Sequence, residues 1–196
     1  MTDAQQRRAV ILDSAARLFA RKGFAATTVR EIADSVGVLS GSLYHHFPSK
    51  DAIVDEVVDG YLDDLLAAYR DVLRRDPPPR EMVRQLVAAS VAATTRHPHA
   101  ADIYRRERRR RHQFGGADRL DAAAAEVTRS WLVALERGRA DGSFRTDVPA
   151  PVAYRLIRDG LFHCGPPPGP GADLAETVSA LVLDGLTTRT SGRRAR

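Results

Sequence analysis

The chain has 196 residues, 30 of them Lys or Arg against 25 Asp or Glu; its formal charge is +5, its pI is near 9.9 and 43% of it is hydrophobic. That is enough apolar content to exclude wholesale disorder and to build one compact domain, or a small one fused to a larger one, while the basic excess fits a polyanionic partner. Cys164 is the single cysteine, so an intrachain disulfide is excluded; with no run of eighteen apolar residues and a charged, signal-unlike start, a soluble cytoplasmic protein is expected.

Helical periodicity runs through the chain and no alternating strand is evident, so an all-α fold of about nine helices is expected. Residues 4–22 place Ile11, Leu12, Ala15, Leu18 and Phe19 on one face of a first helix. Thr28 and Glu31 have the spacing of a capping box, in which each side chain satisfies a backbone donor of the other. Ile32, Ala33 and Val36 give this second helix its apolar face, and Gly37 supplies the left-handed residue that ends it. Val38 and Leu39 are expected to pack into the corner. A third helix turns Leu43 and Phe47 inward and offers Ser40, Gly41, Ser42, Tyr44, His45 and His46 outward. A helix that exposes hydrogen-bonding groups and little apolar surface suits entry into a DNA major groove.

Pro48 and Ser49 open a long fourth helix that runs to about residue 75, carrying Val54, Val58, Tyr61, Leu65 and Val72, and Pro77, Pro78 and Pro79 stop it. Residues 80–96 form a fifth helix with Val83, Leu86, Val87 and Val91. Residues 99–112 form a sixth that is unusually basic, since YRRERRRRH at 104–112 holds six arginines. That run reads as a solvated face or as the seat of a phosphate-rich ligand such as a CoA moiety; direct DNA contact fits it least. Gly115 and Gly116 break the chain before a seventh helix over about 117–140, with Val127, Trp131, Val133 and Leu135. Two more helices follow, at about 149–164 and 173–190, separated by GPPPGPG, and the basic tail at 191–196 is expected to be disordered.

The helix ending in Phe19 and Gly23, followed by TTVREIA, GVLSGSLYHHF and SKDAIV, resembles the DNA-binding domain of the TetR family of bacterial transcriptional regulators over about residues 8–60. ERGRADGSF, with Gly138, Gly142 and Phe144, is a second match far from the first. The resemblance implies a three-helix helix-turn-helix domain in residues 1–50 and a larger helical effector-binding and dimerisation domain in residues 51–190. It further implies a homodimeric repressor on a near-palindromic operator, released by a small molecule. It assigns Thr28 and Arg30 to phosphate and sometimes base contact, and Ser40, Gly41 and Ser42 to base edges. Tyr44 and His46 match phosphate-contacting positions, His45 shares their exposed face, and Lys50 matches a lysine near phosphate at the start of the fourth helix. The last two helices would pack on their symmetry mates as a four-helix bundle, through Ile157, Leu161, Val178, Leu181, Val182 and Leu186, with Gly185 allowing close approach.

Tyr154, Arg158 and Phe162 fall at i, i+4 and i+8, an arginine between two aromatic residues on one helical face. Arg158 would hold a carboxylate or phosphate of an otherwise apolar ligand there, or else pair with an acid such as Asp159 or Asp184 at the dimer interface. Tyr104, Trp131, Phe114 and Met82 are core or pocket lining. AYRLIRDGLF together with GVLSGSLYHHF is most similar to TetR-type repressors of steroid and lipid catabolism in actinobacteria. That implies a lipid- or steroid-derived effector or its acyl-CoA thioester. After Phe162 the chain departs from those relatives, with HCGPPPGPG in place of aromatic and basic residues.

Neither a catalytic centre, a metal nor a cofactor is expected. His45 and His46 diverge by about 100° on a helix and cannot easily share an ion. His163 and Cys164 diverge likewise, and His97 and His99 lack a supporting acid or cysteine cluster. An all-helical enzyme or carrier would need a nucleophile, phosphate-binding loop or CxxC motif, none of which is present. A protein–protein adaptor that has lost DNA binding would leave Thr28, Arg30, Tyr44, His46 and Lys50 without a purpose.

Overall fold

The computed structural model describes residues 3–114, 118–163 and 173–187. Among these residues the chain forms nine helices and no strand: α1 (Asp3–Lys22), α2 (Val29–Ser35), α3 (Ser40–His46), α4 (Lys50–Arg75), α5 (Pro79–Arg96), α6 (Ala100–Phe114), α7 (Asp118–Ala140), α8 (Ala150–His163) and α9 (Leu174–Leu186). The Gly115–Gly116 break, Cys164, the GPPPGPG linker and the tail at 191–196 lie outside the described residues. The helix boundaries follow local chemistry. Gly37 ends α2 at a φ of 69°, a conformation that costs a side-chain-bearing residue energy. Pro79 opens α5, where its missing N–H would have had no intrahelical partner.

Two compact units are present, residues 1–64 with 93–122 and residues 65–92 with 123–196. In the first, α1 packs on α2 and on α6, and α2 packs on α3. Ile11, Ala15 and Phe19 of α1, Ile32 and Ala33 of α2, Leu43 of α3, Phe47, and Ile53, Val54, Val58 and Tyr61 of α4 are buried. Each large apolar side chain so buried contributes about 1.5–3 kcal/mol relative to exposure. This burial matters most for α2 and α3, which are seven residues each and far too short to be helical alone.

The second unit is built on Met82, Val83, Leu86 and Val87 of α5, Trp131, Ala134 and Leu135 of α7, and Phe144. Phe144 lies over Gly138, where an added Cβ would fall inside the ring, and its amide donates to the Gly138 carbonyl at 2.7 Å. α8 packs on α9. The expected dimer residues divide here. Ile157, Val178 and Leu186 are buried within the protomer, whereas Leu181 is 70% exposed and is joined by Leu156 at 68% and Val152 at 46%. The first three are covered mainly by the protomer's own core.

Candidate nucleic-acid interface

The reading surface starts from the turn before α2. The Thr28 hydroxyl accepts from the Glu31 amide at 3.2 Å and the Glu31 carboxylate accepts from the Thr28 amide at 2.9 Å, which completes the expected capping box. Lys22 pairs with the same carboxylate at 2.5 Å. The Lys22 ammonium foremost, then the Thr28 amide and hydroxyl, hold the Glu31 carboxyl down at about 2. Arg30 projects from this helix, its side chain 85% exposed and 3.8 Å from Asp34.

In α3 the two apolar residues turn inward and the rest of the helix is left for solvent. Leu43 and Phe47 are buried, Gly41, Ser42, Tyr44 and His45 are exposed, and Ser40 and His46 are half-buried. The expected outward set is therefore at the surface. Leu39 is not where the sequence placed it. It stands at the N-cap of α3 in extended backbone and is 80% exposed, outside the corner in which Val38 is half-buried.

Three basic side chains brace this surface, two of them beyond what residue spacing revealed. Arg8 of α1 donates to the His46 carbonyl at the end of α3 at 2.6 Å, pairs with Glu56 of α4 and lies 4.2 Å from the centroid of Phe47. Lys50 donates to the carbonyls of Phe24 and Thr27, each at 2.8 Å, and sits 4.2 Å from the Phe24 ring centroid. The lysine that the family resemblance places near phosphate thus fastens the α1–α2 connection to the start of α4. Arg110 of α6 lies 4.2 Å from the same ring and pairs with Asp51 at 2.9 Å and Glu107 at 2.7 Å. Glu107 is 3% exposed, so its charge is compensated inside the protein. The only signal for the long-range contacts of Arg8 and Arg110 was an arginine on a helix, because His46 lies 38 residues from Arg8 and Asp51 lies 59 from Arg110.

In the arginine run of α6 the described arginine side chains engage other parts of the protein while remaining exposed or half-buried. Arg105 pairs with Asp102, Arg106 donates to the Ala20 carbonyl at 3.3 Å, and Arg108 pairs with Asp121 at 2.7 Å. Arg110 makes the pairs given above, and the side chains of Arg109, Arg111 and His112 lie outside those described.

The expected ligand residues fall into separate units. Tyr104 belongs to the first, buried beside Tyr61 with ring centroids 6.4 Å apart. Trp131 and Tyr154 are buried in the second, their rings 6.3 Å apart, and the Trp131 indole donates to the Tyr69 hydroxyl at 2.9 Å. Burial pushes the Tyr69 phenol well above its usual range and keeps it neutral. Arg158 lies 5.8 Å from the Tyr154 ring and pairs with Asp159 at 2.8 Å, one of the acids expected for it. The Phe162 side chain lies outside those described.

A capped helix, a glycine-ended turn and a short second helix exposing hydroxyls, a phenol and imidazoles make this a helix-turn-helix DNA-binding protein. Residues 11–57 match the family described as bacterial regulatory proteins, tetR family. The chain is 40% identical over 187 residues to the HTH-type transcriptional repressor KstR2 of Rhodococcus jostii, covering 93% of this chain and 92% of that protein. It is 42% identical over 187 residues to KstR2 of Mycolicibacterium smegmatis, covering 92% and 91%. The solved structure of the ketosteroid transcriptional regulator KstR2 of Mycobacterium tuberculosis superposes with a TM-score of 0.86 at 37% identity, over 93% of this chain and 96% of that one. The chain belongs to the TetR family, and it is a transcriptional repressor rather than an enzyme. Among the described residues no helix is long and apolar enough to cross a membrane.

Proposed function

We propose that this repressor is a cytoplasmic homodimer that inserts α3 of each protomer into successive major grooves of a near-palindromic operator. An apolar effector, a steroid- or lipid-derived molecule or its acyl-CoA thioester, releases it. The observation that carries the DNA half is the exposed face of α3: Tyr44 is 54% exposed beside Gly41 and Ser42, while the helix's apolar residues are buried. Ser40, Gly41 and Ser42 face base edges, with His45 beside them. Thr28, Arg30, Tyr44 and His46 meet phosphate, and Lys50 adds positive charge at the same edge. One α3 reads too little DNA for tight binding, so a two-fold partner is required, its α3 roughly 34–36 Å away or a multiple of that.

Residues 1–50 carry the reading surface in this scheme, and residues 51–190 the effector and the dimer seam. Support for the effector class comes from the KstR2 relatives, one of which is a ketosteroid regulator by name, and from Arg158 beside Tyr154. The arginine would hold an anionic group of a ligand whose body packs on aromatic surface. The effector acts by its differential affinity for the DNA-bound and free forms.

Selection of bound fragments from the source genome by the purified protein tests both halves. A near-palindromic site is expected in the enriched pool. Titration of that duplex complex with steroid-derived acyl-CoA thioesters, the free acids and CoA alone should release the protein with one of the first two. No enrichment at moderate salt would favour the adaptor reading, and release by none of the three would sink the effector class.

A further inference from the structure

Leu39 is the most exposed large apolar side chain among the described residues, at 80%. Val152, Leu156 and Leu181 are exposed on α8 and α9, where the proposed dimer seam accounts for them. Nothing of that kind reaches Leu39. It also occupies the N-cap of α3 with the extended backbone of a cap, φ −72° and ψ 143°, yet its side chain makes no cap hydrogen bond to the helix. A serine, threonine, aspartate or asparagine would satisfy one of the first amides of the helix. The neighbouring α2, of the same length, has a complete capping box. An unusual cap and an exposed apolar side chain thus coincide at one position of a seven-residue helix.

Leu39 immediately precedes Ser40, Gly41 and Ser42, the turn of α3 that would face the bases. Two hydroxyls and a glycine distinguish base pairs weakly, and none of them offers apolar surface. Among the base edges of the major groove the apolar group is the thymine C5-methyl. We propose that Leu39 is a specificity-determining residue that packs on a thymine methyl in each half-site and supplies discrimination that Ser40, Gly41 and Ser42 lack. The inference rests on the operator-reading face proposed above.

Selection from a random-sequence duplex pool by the full chain, by Leu39→Ala and by Leu39→Ser tests it. The wild type should enrich a near-palindrome with thymine at one symmetric pair of positions. Both variants should keep the rest of the motif and lose that thymine preference. Replacing those thymines with deoxyuridine removes only the methyl group; it should weaken the wild type about fourfold per half-site and leave the variants unchanged. Leu39→Ser restores a capping side chain, so its Tm should equal or exceed that of the wild type and loss of folding is separated from loss of reading. An identical motif from all three proteins, or an equal deoxyuridine effect on them, overturns the proposal. Uniform weakening on every sequence overturns it too, by placing Leu39 against the sugar-phosphate backbone. No motif from the wild type would overturn the operator-reading face, and this inference with it.

Discussion

Glu31 gives the head of the molecule an acid-sensitive contact. Its carboxylate serves the Thr28 amide and the Lys22 ammonium together and titrates near 2 in place of the usual 4.5. Because the folded value is the lower one, this contribution is complete above about pH 4.5 and is lost as pH falls toward 2. A carboxyl resonance of Glu31 followed by NMR should have its midpoint near 2, and Glu31→Gln should flatten the acid limb of the melting curve. A midpoint near 4.5 would refute the capping geometry. Arg30 and Lys50 make a second contrast at this scale. Arg30→Ala removes an 85% exposed side chain, so stability should move by less than about 0.5 kcal/mol, while the salt slope of operator binding becomes shallower by about 0.9 for each phosphate that Arg30 neutralises. Lys50→Ala deprives the Phe24 and Thr27 carbonyls of their donor and should lower stability by about 1–2 kcal/mol without DNA present. Equal melting temperatures for both variants would deny Lys50 its structural role. The capping box was legible because Thr28 and Glu31 are three residues apart. The carbonyls that meet Lys50 were not, since they converge only once α1 and α4 have packed.

At the scale of elements, α6 reaches the DNA-reading head through side chains that looked like surface. Arginines in so dense a run suggest a solvated helix because two of the acids that receive them, Asp51 and Asp121, lie 59 and 13 residues from their partners. Helix existence needed no such knowledge: apolar residues at a 3.6-residue period, with proline and glycine stops, placed every element. Arg110 is the test of the connection. Arg110→Ala removes the ion pairs to Asp51 and Glu107 and the contact with the Phe24 ring, and takes a cation from a carboxylate that is 3% exposed. A loss of about 1–3 kcal/mol is expected, with faster amide exchange at residues 23–28. Arg110→Lys should recover only part of it, because an ammonium lacks the planar fork that serves two carboxylates and a ring. Unchanged exchange in the α1–α2 connection would show that α6 does not brace the head.

At the scale of the whole molecule, two reading helices become one operator-binding device only through dimerisation, and the proposed seam is where periodicity was least informative. Leu156 and Ile157 are adjacent, as are Leu181 and Val182, so an apolar-rich helix does not reveal which residue faces its own core. Folding settles the phase: Ile157, Val178 and Leu186 go in, and Val152, Leu156 and Leu181 stay out. A two-fold axis doubles that stripe, and each leucine covered contributes about 1.5–3 kcal/mol toward association. Leu156→Glu with Leu181→Glu puts four carboxylates in the seam of each dimer while leaving the protomer core untouched. The double variant should sediment as a monomer at micromolar concentration and melt as a single folded species. The control Leu183→Glu alters a side chain that is 3% exposed and should unfold instead. Operator affinity of the monomer should fall by more than about a hundredfold, since the second half-site loses its high effective concentration. Its salt slope should halve along with the number of phosphates engaged. A double variant that remains dimeric would place the seam elsewhere. A monomer that kept full operator affinity would break the link between α8, α9 and DNA reading.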